Sequence, residues 1–330
     1  MEAYNVILGV DVSKRTLDIS CAERLEHIQI ENSSKGFSVL KKWCKSHEIN
    51  VRESLVILEY TGGYEYRFLQ FCTAHQIAFC RISGLEIKRS MGMIRGKNDK
   101  VDSFRIGQYG EEKIKRLELS KPLNNNILKI RQLLSFRKRL VREKAGFIAT
   151  IKERRYMYQV SQKDTVIRIG TKKVKQNEQY IQEIEAEIIA LIKADASMYQ
   201  NYRILTSIKG IGPINAWMTL AYTENFTSFE NARQYAVFVG VIPFEHRSGT
   251  SIKGKNRVSH MANKELKQEL NQAAKTAIIH DPEIHTYAER LLKRKDYSLV
   301  LNNVKFKLIL RMFSLVKRGE MYVENYKRVA

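Results

Sequence analysis

Residues 6–11, Val-Ile-Leu-Gly-Val-Asp, decide the fold of the N-terminal part of this 330-residue chain. They form a short, β-rich apolar run that ends in a carboxylate, which is the pattern of a buried strand. The stretches 16–21 and 27–30 predict two more strands that pair with the first as a hairpin or meander. Residues 54–58 repeat the pattern and again run straight into an acid, Glu59.

Helical patterns lie between and after these strands. Apolar residues at helical spacing predict helices over 34–47 and 64–75, and 78–82 predicts another strand. A further helix is expected over 99–112. Because strands that alternate with helices are typical of an α/β sheet with parallel members, we expect that fold for the N-terminal part.

The middle of the chain has a different periodicity. Pairs of apolar residues recur every seven positions between Leu133 and Ile148, and a second set recurs from Ile181 to Leu191. Two long helices paired as a coiled coil would bury both sets. This pattern predicts an arm or dimerisation element, and the basic stretch between the two sets is expected to be irregular.

The last third, from about Tyr199, is expected to be all-α. Helices over 263–280 and 304–316 supply apolar faces for a compact core. Residues 204–216, ILTSIKGIGPINA, have the form of a helix-hairpin-helix turn. Gly210 and Gly212 would then let backbone N–H groups approach a phosphate, although a plain glycine turn between two helices fits the same letters.

The charge of the chain points to a nucleic acid partner. Its formal net charge is +22, and Lys129–Lys175 hold 15 basic residues against 3 acidic ones, whereas residues 1–60 hold 8 against 9. Lysine and arginine displace counterions from a polyanion, so a concentrated positive charge favours binding to DNA or RNA. The candidate contact residues, besides the two glycines, are Lys97, Arg137, Lys138, Arg139, Arg154, Arg155, Lys172, Lys173, Arg247, Lys253, Lys255 and Arg257.

Cysteine usage and the N-terminus bear on location. The four cysteines, at positions 21, 44, 72 and 80, form no metal-binding spacing and are expected to be reduced thiols in the core. The first residues lack a basic region and a cleavage site, and their apolar run is far shorter than the ~20 residues that cross a bilayer. We therefore expect a cytoplasmic protein without a membrane span.

Four acids, Asp11, Glu59, Asp99 and Asp102, form the candidate site. Two end predicted strands and two lie three residues apart on the helix that follows, so all four are expected near the carboxyl edge of the sheet. Left alone they would repel one another, whereas Mg²⁺ or Mn²⁺ would bind them, and a metal pair activates a nucleophile in phosphodiester cleavage. Taken singly, each acid also fits a helix cap, an ion pair or a solvated helix face.

The residues around these acids resemble a known family. GVDVSK at 9–14, LEYTGGY at 58–64 and GKNDKVDS at 96–103 are similar to the three signature blocks of the DEDD-type insertion-sequence transposases. The resemblance places the four acids on that family's metal-binding positions and implies an RNase H-like (RuvC-like) N-terminal domain. Asn98 and Ser103 depart from the threonine and alanine that are common in relatives, and neither departure alters a carboxylate.

The resemblance continues into the C-terminal half. The segment 238–251, FVGVIPFEHRSGTS, resembles the family's C-terminal block, and the serine of its S-G pair, Ser248, then falls on the nucleophile. Neighbouring cations at 246, 247 and 253 would stabilise charge on a phosphate under attack. Ser251 and, further away, Ser259 are the alternatives.

From Val6 to about Pro282 the blocks keep the family's order and spacing. The resemblance implies a RuvC-like domain over 1–120, a basic coiled-coil arm over 121–198 and a helical domain over 199–330, with an active site composed from both halves. It also implies a covalent phosphoserine, donor and target double-stranded DNA, a structured noncoding guide RNA and a dimer or tetramer. Two alternatives stay open: a RuvC-like nuclease or junction resolvase that uses metal and water, and a nucleic-acid-binding protein without catalysis.

Overall fold

The computed structural model describes residues 4–60, 62–90, 98–122, 124–244 and 257–324, together with the backbone of two short strands at 247–248 and 252–253. The chain divides into two compact units, residues 1–123 and 124–330, which are treated separately below.

Unit 1 is built on a five-stranded mixed sheet in the order β3-β2-β1-β4-β5. Strands β1, β2 and β3 form the predicted antiparallel meander, and β1, β4 and β5 run parallel. The α/β prediction with parallel members is therefore confirmed. The bounds of the strands are β1 Val6–Val12, β2 Thr16–Cys21, β3 Glu26–Glu31, β4 Ser54–Glu59 and β5 Ala78–Ile82.

Helices cover both faces of this sheet, because its parallel strands are apolar on both sides. The even-numbered residues of β1 pack in one core with phenylalanines of α1 and α2, and the odd-numbered Ile7 packs in a second core with Ile106 and Tyr109 of α4. All four cysteines are free and buried, as predicted. The helices are α1 Ser34–Ser46, α2 Tyr66–Ala74, α3 Gly84–Ser90 and α4 Asp99–Lys113.

Helix α4 lies unusually close to β1. A methyl group on Gly9 would overlap the backbone of Ser103 and come within 2.8 Å of Gly107 Cα. Further along the helix, a methyl group on Gly110 would come within 3.0 Å of Ile7 Cγ2. The contacts move toward the C-terminus of α4 as they move toward the N-terminus of β1, so the helix and the strand are antiparallel.

Unit 2 is helical. Its elements are α5 Asn125–Tyr158, α6 Thr165–Lys193, α7 Ala196–Ser207, α8 Pro213–Tyr222, α9 Ala232–Val239, the hairpin strands β6 Arg247–Ser248 and β7 Ile252–Lys253, then α10 Lys264–His280, α11 Pro282–Leu292 and α12 Tyr297–Arg318. Leu140 of α5 and Ile181, Ile184 and Ile188 of α6 join the core of this unit. Four more heptad residues pack against that core: Leu133, Leu134, Val141 and Leu191.

The expectation of an irregular basic stretch between the heptad sets is wrong. Helix α5 continues to Tyr158 and α6 already begins at Thr165, which leaves only 159–164 outside a helix. Lysine and arginine are good helix formers and no proline interrupts the stretch, so its positive charge does not disfavour a helix. Asp164 caps α6 by accepting from the N–H groups of Val166 and Ile167. The coiled coil and the three-part domain division stay predictions.

Within the described ranges, no helix is long and apolar enough to cross a membrane.

Candidate active site

Asp11 and Glu59 lie side by side at the carboxyl ends of two neighbouring strands. Val10 of β1 is in register with Leu58 of β4, and each acid is the next residue of its strand. Adjacent strands are about 4.8 Å apart. Side chains alternate along a strand, so Asp11 shares the face of Ile7 and Gly9, which is the face that α4 covers.

Helix α4 brings the other two acids to the same edge. Since α4 runs antiparallel to β1 and crosses Gly9 at Ser103, its first turn lies toward the carboxyl end of β1. Asp99 and Asp102 are in that first turn. Asn98 caps the helix, because its side chain accepts a hydrogen bond from Lys100 N at 3.0 Å. The cap fixes where the helix begins, and so where both acids stand.

The electrostatics of Asp11 report on this neighbourhood. Burial raises the pKa of Asp11 from 3.8 to about 6, with further contributions from the negative charges of Asp99, Asp102, Glu59 and Asp18. All of the other predicted acids therefore act on one partly buried carboxylate. A cation bound next to Asp11 would offset the repulsion between these negative charges.

The four carboxylate side chains nevertheless do not converge on one point. In the described part of the chain, no group of three or more His, Cys, Asp or Glu side chains is close enough to hold a metal ion. Asp102 instead accepts a hydrogen bond from Arg105 Nη1 at 2.8 Å. The donor set is all oxygen and strongly negative, as Mg²⁺ and Mn²⁺ prefer, so the residues fit a hard cation once their side chains turn toward it.

The start of α3 limits the space around the Glu59 side chain. A side chain at Gly84, the first residue of that helix, would overlap the Glu59 carboxylate. Only glycine leaves room for the acid in its present position.

Asp18 is a fifth acid that the sequence analysis missed. It stands opposite Asp11 in the β1–β2 register and is only 4% exposed. His27 Nε2 lies 2.9 Å from its Oδ1, and Gln29 Nε2 donates to its Oδ2 at 3.0 Å. The signal was present in the sequence, because Asp18 interrupts an apolar strand in the way that Asp11 does.

Two loops beyond the acids are tied together by Asn32. Its Nδ2 donates to Ser13 O at 3.1 Å, in the loop after β1, and to Tyr64 O at 2.8 Å, in the loop after β4. Glu65 supports the second loop, because it accepts from Gly63 N at 2.8 Å and pairs with Arg81 at 3.0 Å. The surroundings of Asp11 and Glu59 are therefore held by buried polar contacts.

In unit 2, Ser248 belongs to the short strand β6, where it pairs with Ile252 of β7. A bridge between Phe244 and Arg257 closes the base of this serine hairpin, which spans 244–257. Ser259 Oγ accepts from Met261 N at 3.1 Å in a turn after the hairpin. The remaining predicted groups lie outside the described residues: Lys97, Ser251, Lys255, and the side chains of Arg247, Ser248 and Lys253.

Several residues that were predicted to contact nucleic acid form ion pairs with acids of unit 2. Arg137 pairs with Glu185 at 2.7 Å, Lys138 with Glu265 at 2.7 Å, and Arg154 with Asp164 at 2.9 Å. These cations are partly neutralised and stabilise helix packing. The exposed candidates are Arg139, Arg155, Lys172, Lys173 and Arg257.

The two glycines of the predicted DNA-contacting turn differ. Gly210 has a φ of +93°, and a methyl group there would come within 2.5 Å of Ala273 O in α10, so Gly210 is required by packing. Gly212 is exposed, caps the start of α8 and faces open space. Only Gly212 is placed to meet a ligand.

In a comparison with known proteins, a segment in each half of the chain matches a family model. Residues 8–154 match a family model for DEDD transposases of IS110 elements, described as "Transposase". Residues 202–289 match the model described as "Transposase IS116/IS110/IS902 family". The two matches cover the four acids and Ser248, respectively, in the order expected from the signature blocks.

Individual relatives agree with the family models. The chain is 26% identical over 272 residues, 80% of each chain, to the "Pilin gene-inverting protein" of Moraxella lacunata, and equally to that of Moraxella bovis. It is 30% identical over 140 residues, 42% of this chain and 33% of the other, to an uncharacterized 43.6 kDa protein of insertion element IS110 from Streptomyces coelicolor. The chain is therefore a member of the IS110 family of transposases, an enzyme of DNA transposition or recombination.

Proposed function

We propose that this transposase cuts and rejoins DNA strands with two sets of residues: a metal-binding acidic cluster on an RNase H-like sheet in unit 1, and the nucleophile Ser248 in unit 2. The observation that carries the proposal is Asp11, a partly buried acid whose pKa is raised to about 6 by burial and by Asp99, Asp102 and Glu59. A scaffold protein would gain nothing from collecting negative charge where a polyanion has to bind.

Asp11, Glu59, Asp99 and Asp102 would hold Mg²⁺ or Mn²⁺. When bound, the metal supplies positive charge that stabilises the oxygens of a phosphodiester under attack. Asp18, fixed by His27 and Gln29, adds negative charge on the strand next to Asp11.

Ser248 would act as the nucleophile. Its hydroxyl oxygen forms a bond to phosphorus while one P–O bond of the DNA strand breaks, and the serine proton is lost as the departing oxygen gains one. The product is a phosphoserine joined to DNA. A free DNA hydroxyl later attacks the same phosphorus, which releases the serine and joins the strands.

The partners follow the same proposal. They are donor and target double-stranded DNA, a structured noncoding RNA that directs the enzyme to them, and further copies of the chain in a dimer or tetramer, all in the cytoplasm. The exposed cations of α5 and α6, Arg139, Arg155, Lys172 and Lys173, support nucleic-acid binding because they present positive charge to solvent. Sequencing of RNA that copurifies with the protein tests the guide: one discrete species supports it, and random fragments contradict it.

The nucleophile is tested by trapping labelled DNA on the purified protein and mapping the modified residue by mass spectrometry. Ser248→Ala is expected to abolish the covalent adduct, whereas the matched control Ser251→Ala retains it. Strand cleavage that survives in Ser248→Ala without an adduct would instead identify a nuclease that uses metal and water.

The acidic cluster is tested separately. Asp11→Asn is expected to abolish cleavage while DNA affinity stays within about twofold of the unchanged protein, because one charge is removed from the site and not from the binding surface. Glu112→Gln removes an exposed acid at the far end of the same helix α4 and is expected to leave cleavage unchanged. Activity in Asp11→Asn would refute the metal assignment.

A further inference from the structure

A lysine is buried in the core of unit 2. Lys305 is only 4% exposed and lies on the inner stripe of α12, with Leu301 one turn before it and Leu308 one turn after it. Arg311, further along the same helix, is largely buried but has counter-charges, since it pairs with Asp281 at 2.6 Å and with Glu283 at 2.8 Å. Among the residues that the structure describes, Lys305 contacts no carboxylate. An ammonium group in such a place ordinarily has an anionic partner.

A second lysine increases the positive charge at this point. Burial, and after it the positive charge of Lys267 on α10, lowers the pKa of Lys305 to about 8. Burial lowers the pKa of Lys267 as well. Over the described ranges, Lys267 too has no ion pair with an acid. Lys267 is half-buried, and two neighbouring cations with restricted access to water repel each other unless an anion lies between them.

The two lysines lie beneath the chain that leads to the serine hairpin. Asn302, one turn before Lys305, donates from Nδ2 to Val241 O at 2.6 Å. Asn263, one turn before Lys267, donates from its backbone N to Phe238 O at 2.9 Å. Residues one turn apart share a helix face, so both lysines are on the faces that hold segment 238–241.

That segment is packed tightly onto the same helices. Gly240 has a φ of +75°, and a methyl group on it would come within 2.5 Å of Ala262 Cβ, just before α10. From here the chain passes directly to the Phe244–Arg257 bridge at the base of the hairpin. The positive charge is therefore next to the root of the strand that carries Ser248.

We propose that Lys267 and Lys305 form a binding site for a phosphate group of the DNA strand on which Ser248 acts. The identity of the ligand rests on the function proposed above, whereas the existence of an anion site rests on the two lysines alone. A phosphate offers several acceptor oxygens and negative charge to two converging ammonium groups, so it would satisfy both lysines at once. The alternative is a pair of lysines whose stems fill apolar space while their ammonium groups reach water.

The anion site is tested first with inorganic phosphate, on the full chain without DNA. Thermal unfolding is compared in phosphate and in sodium chloride of equal ionic strength. Lys305→Met is a suitable variant because methionine is apolar and similar in length, so it fits the stripe between Leu301 and Leu308. Lys275→Met removes the same charge from an exposed position of α10 and is the matched control.

We expect phosphate to raise the melting temperature of the unchanged protein and of Lys275→Met, and Lys305→Met and Lys267→Met to lose this response. Lys305→Met is expected to melt no lower than the unchanged protein in chloride. A Lys305→Met protein that responds to phosphate like the unchanged one would overturn the proposal. So would an unchanged protein that responds to phosphate no more than to chloride.

The second arm measures formation of the covalent DNA adduct. Lys305→Met is expected to slow it by about tenfold or more, the loss that one charged hydrogen bond to a phosphate predicts, and Lys275→Met by less than about twofold. Loss of the phosphate response with an adduct that does not depend on Ser248 would support the anion site and refute the nucleophile. A Ser248-dependent adduct that forms at the normal rate in Lys305→Met would overturn the DNA role of the two lysines.

Discussion

Replacing Gly9 with alanine would push a methyl group into the backbone of α4. The new carbon would overlap the Ser103 carbonyl and lie 2.8 Å from Gly107 Cα. Both neighbours are backbone of one helix, so no side chain can rotate away, and the helix itself has to withdraw from the strand. Overpacking of a core ordinarily costs about 1–3 kcal/mol, and we expect the upper end, about 3 kcal/mol, for this site.

The effect on activity is expected to exceed the effect on stability. Withdrawal of α4 by roughly 1 Å moves Asp99 and Asp102 away from Asp11 and Glu59, and a displacement of that size costs about 100-fold in rate. Urea unfolding followed by circular dichroism gives the free energy of unfolding, and DNA cleavage at a temperature where the variant is folded gives the rate.

Gly146→Ala is the matched control. Gly146 lies inside helix α5, and nothing stands within 4 Å of the position that a methyl group would take. Alanine there is expected to stabilise the protein by about 0.5–1 kcal/mol, because it removes the conformational freedom of glycine in the unfolded chain. If the free energy of unfolding of Gly9→Ala lies within about 0.5 kcal/mol of that of the unchanged protein, α4 and β1 are not in the close contact described above.

Three further outcomes follow from burial and charge. Because the pKa of Asp11 is about 6 when folded and 3.8 otherwise, the folded protein holds an extra proton between these values and loses stability as the pH rises through them. Asp11→Asn is therefore expected to raise the free energy of unfolding of the metal-free protein at pH 8, by less than about 3 kcal/mol after solvent screening, and not at pH 4; an equal gain at both pH values would contradict the assignment. Burial alone would raise the pKa of Asp281, but hydrogen bonds from Ile284 N and Arg311 bring it below its ordinary value, so its stabilisation is lost as the pH falls through that lowered pKa. Asp281→Asn is expected to cost about 1.5–3 kcal/mol in urea unfolding at pH 7, because it removes one of the two carboxylates that pair with Arg311 and leaves only Glu283. A cost below about 0.5 kcal/mol would refute this. Burial raises the pKa of Cys44 to about 12 and of Cys80 to about 11, so a disulfide reagent at pH 8 is expected to label these thiols only after denaturant is added; rapid labelling of the folded protein would contradict their burial.

Local patterns in the sequence were sufficient for the five strands of unit 1 and for three of its helices, but not for α3. A run such as 54–58 that ends in an acid specifies a strand and the residue at its end, so both the sheet and two members of the acidic cluster could be predicted. The helical spacing of Asp99 and Asp102 after the sheet supplied the other two members, and the family resemblance supplied Ser248.

Features that depend on pairing between distant residues could not be predicted in this way. The register that sets Asp18 opposite Asp11 is fixed by the turn after β1, where Ser13 Oγ contacts Thr16, and strand periodicity says nothing about it. The crossing of α4 over Gly9 depends on small residues on both elements at once. Lys305 was missed because one basic residue in a basic chain carries no signal until its helix face is known to be buried.

The length of helices α5 and α6 also sets the distance between the two ends of the pair. An α-helix advances about 1.5 Å per residue. The 34 residues of α5 therefore place the 159–164 connection about 50 Å from the first turn of α5. Each residue added to or removed from both helices would change this span by about 1.5 Å. The pair can thus act as a spacer whose length sets how far the 159–164 loop lies from the first turn of α5.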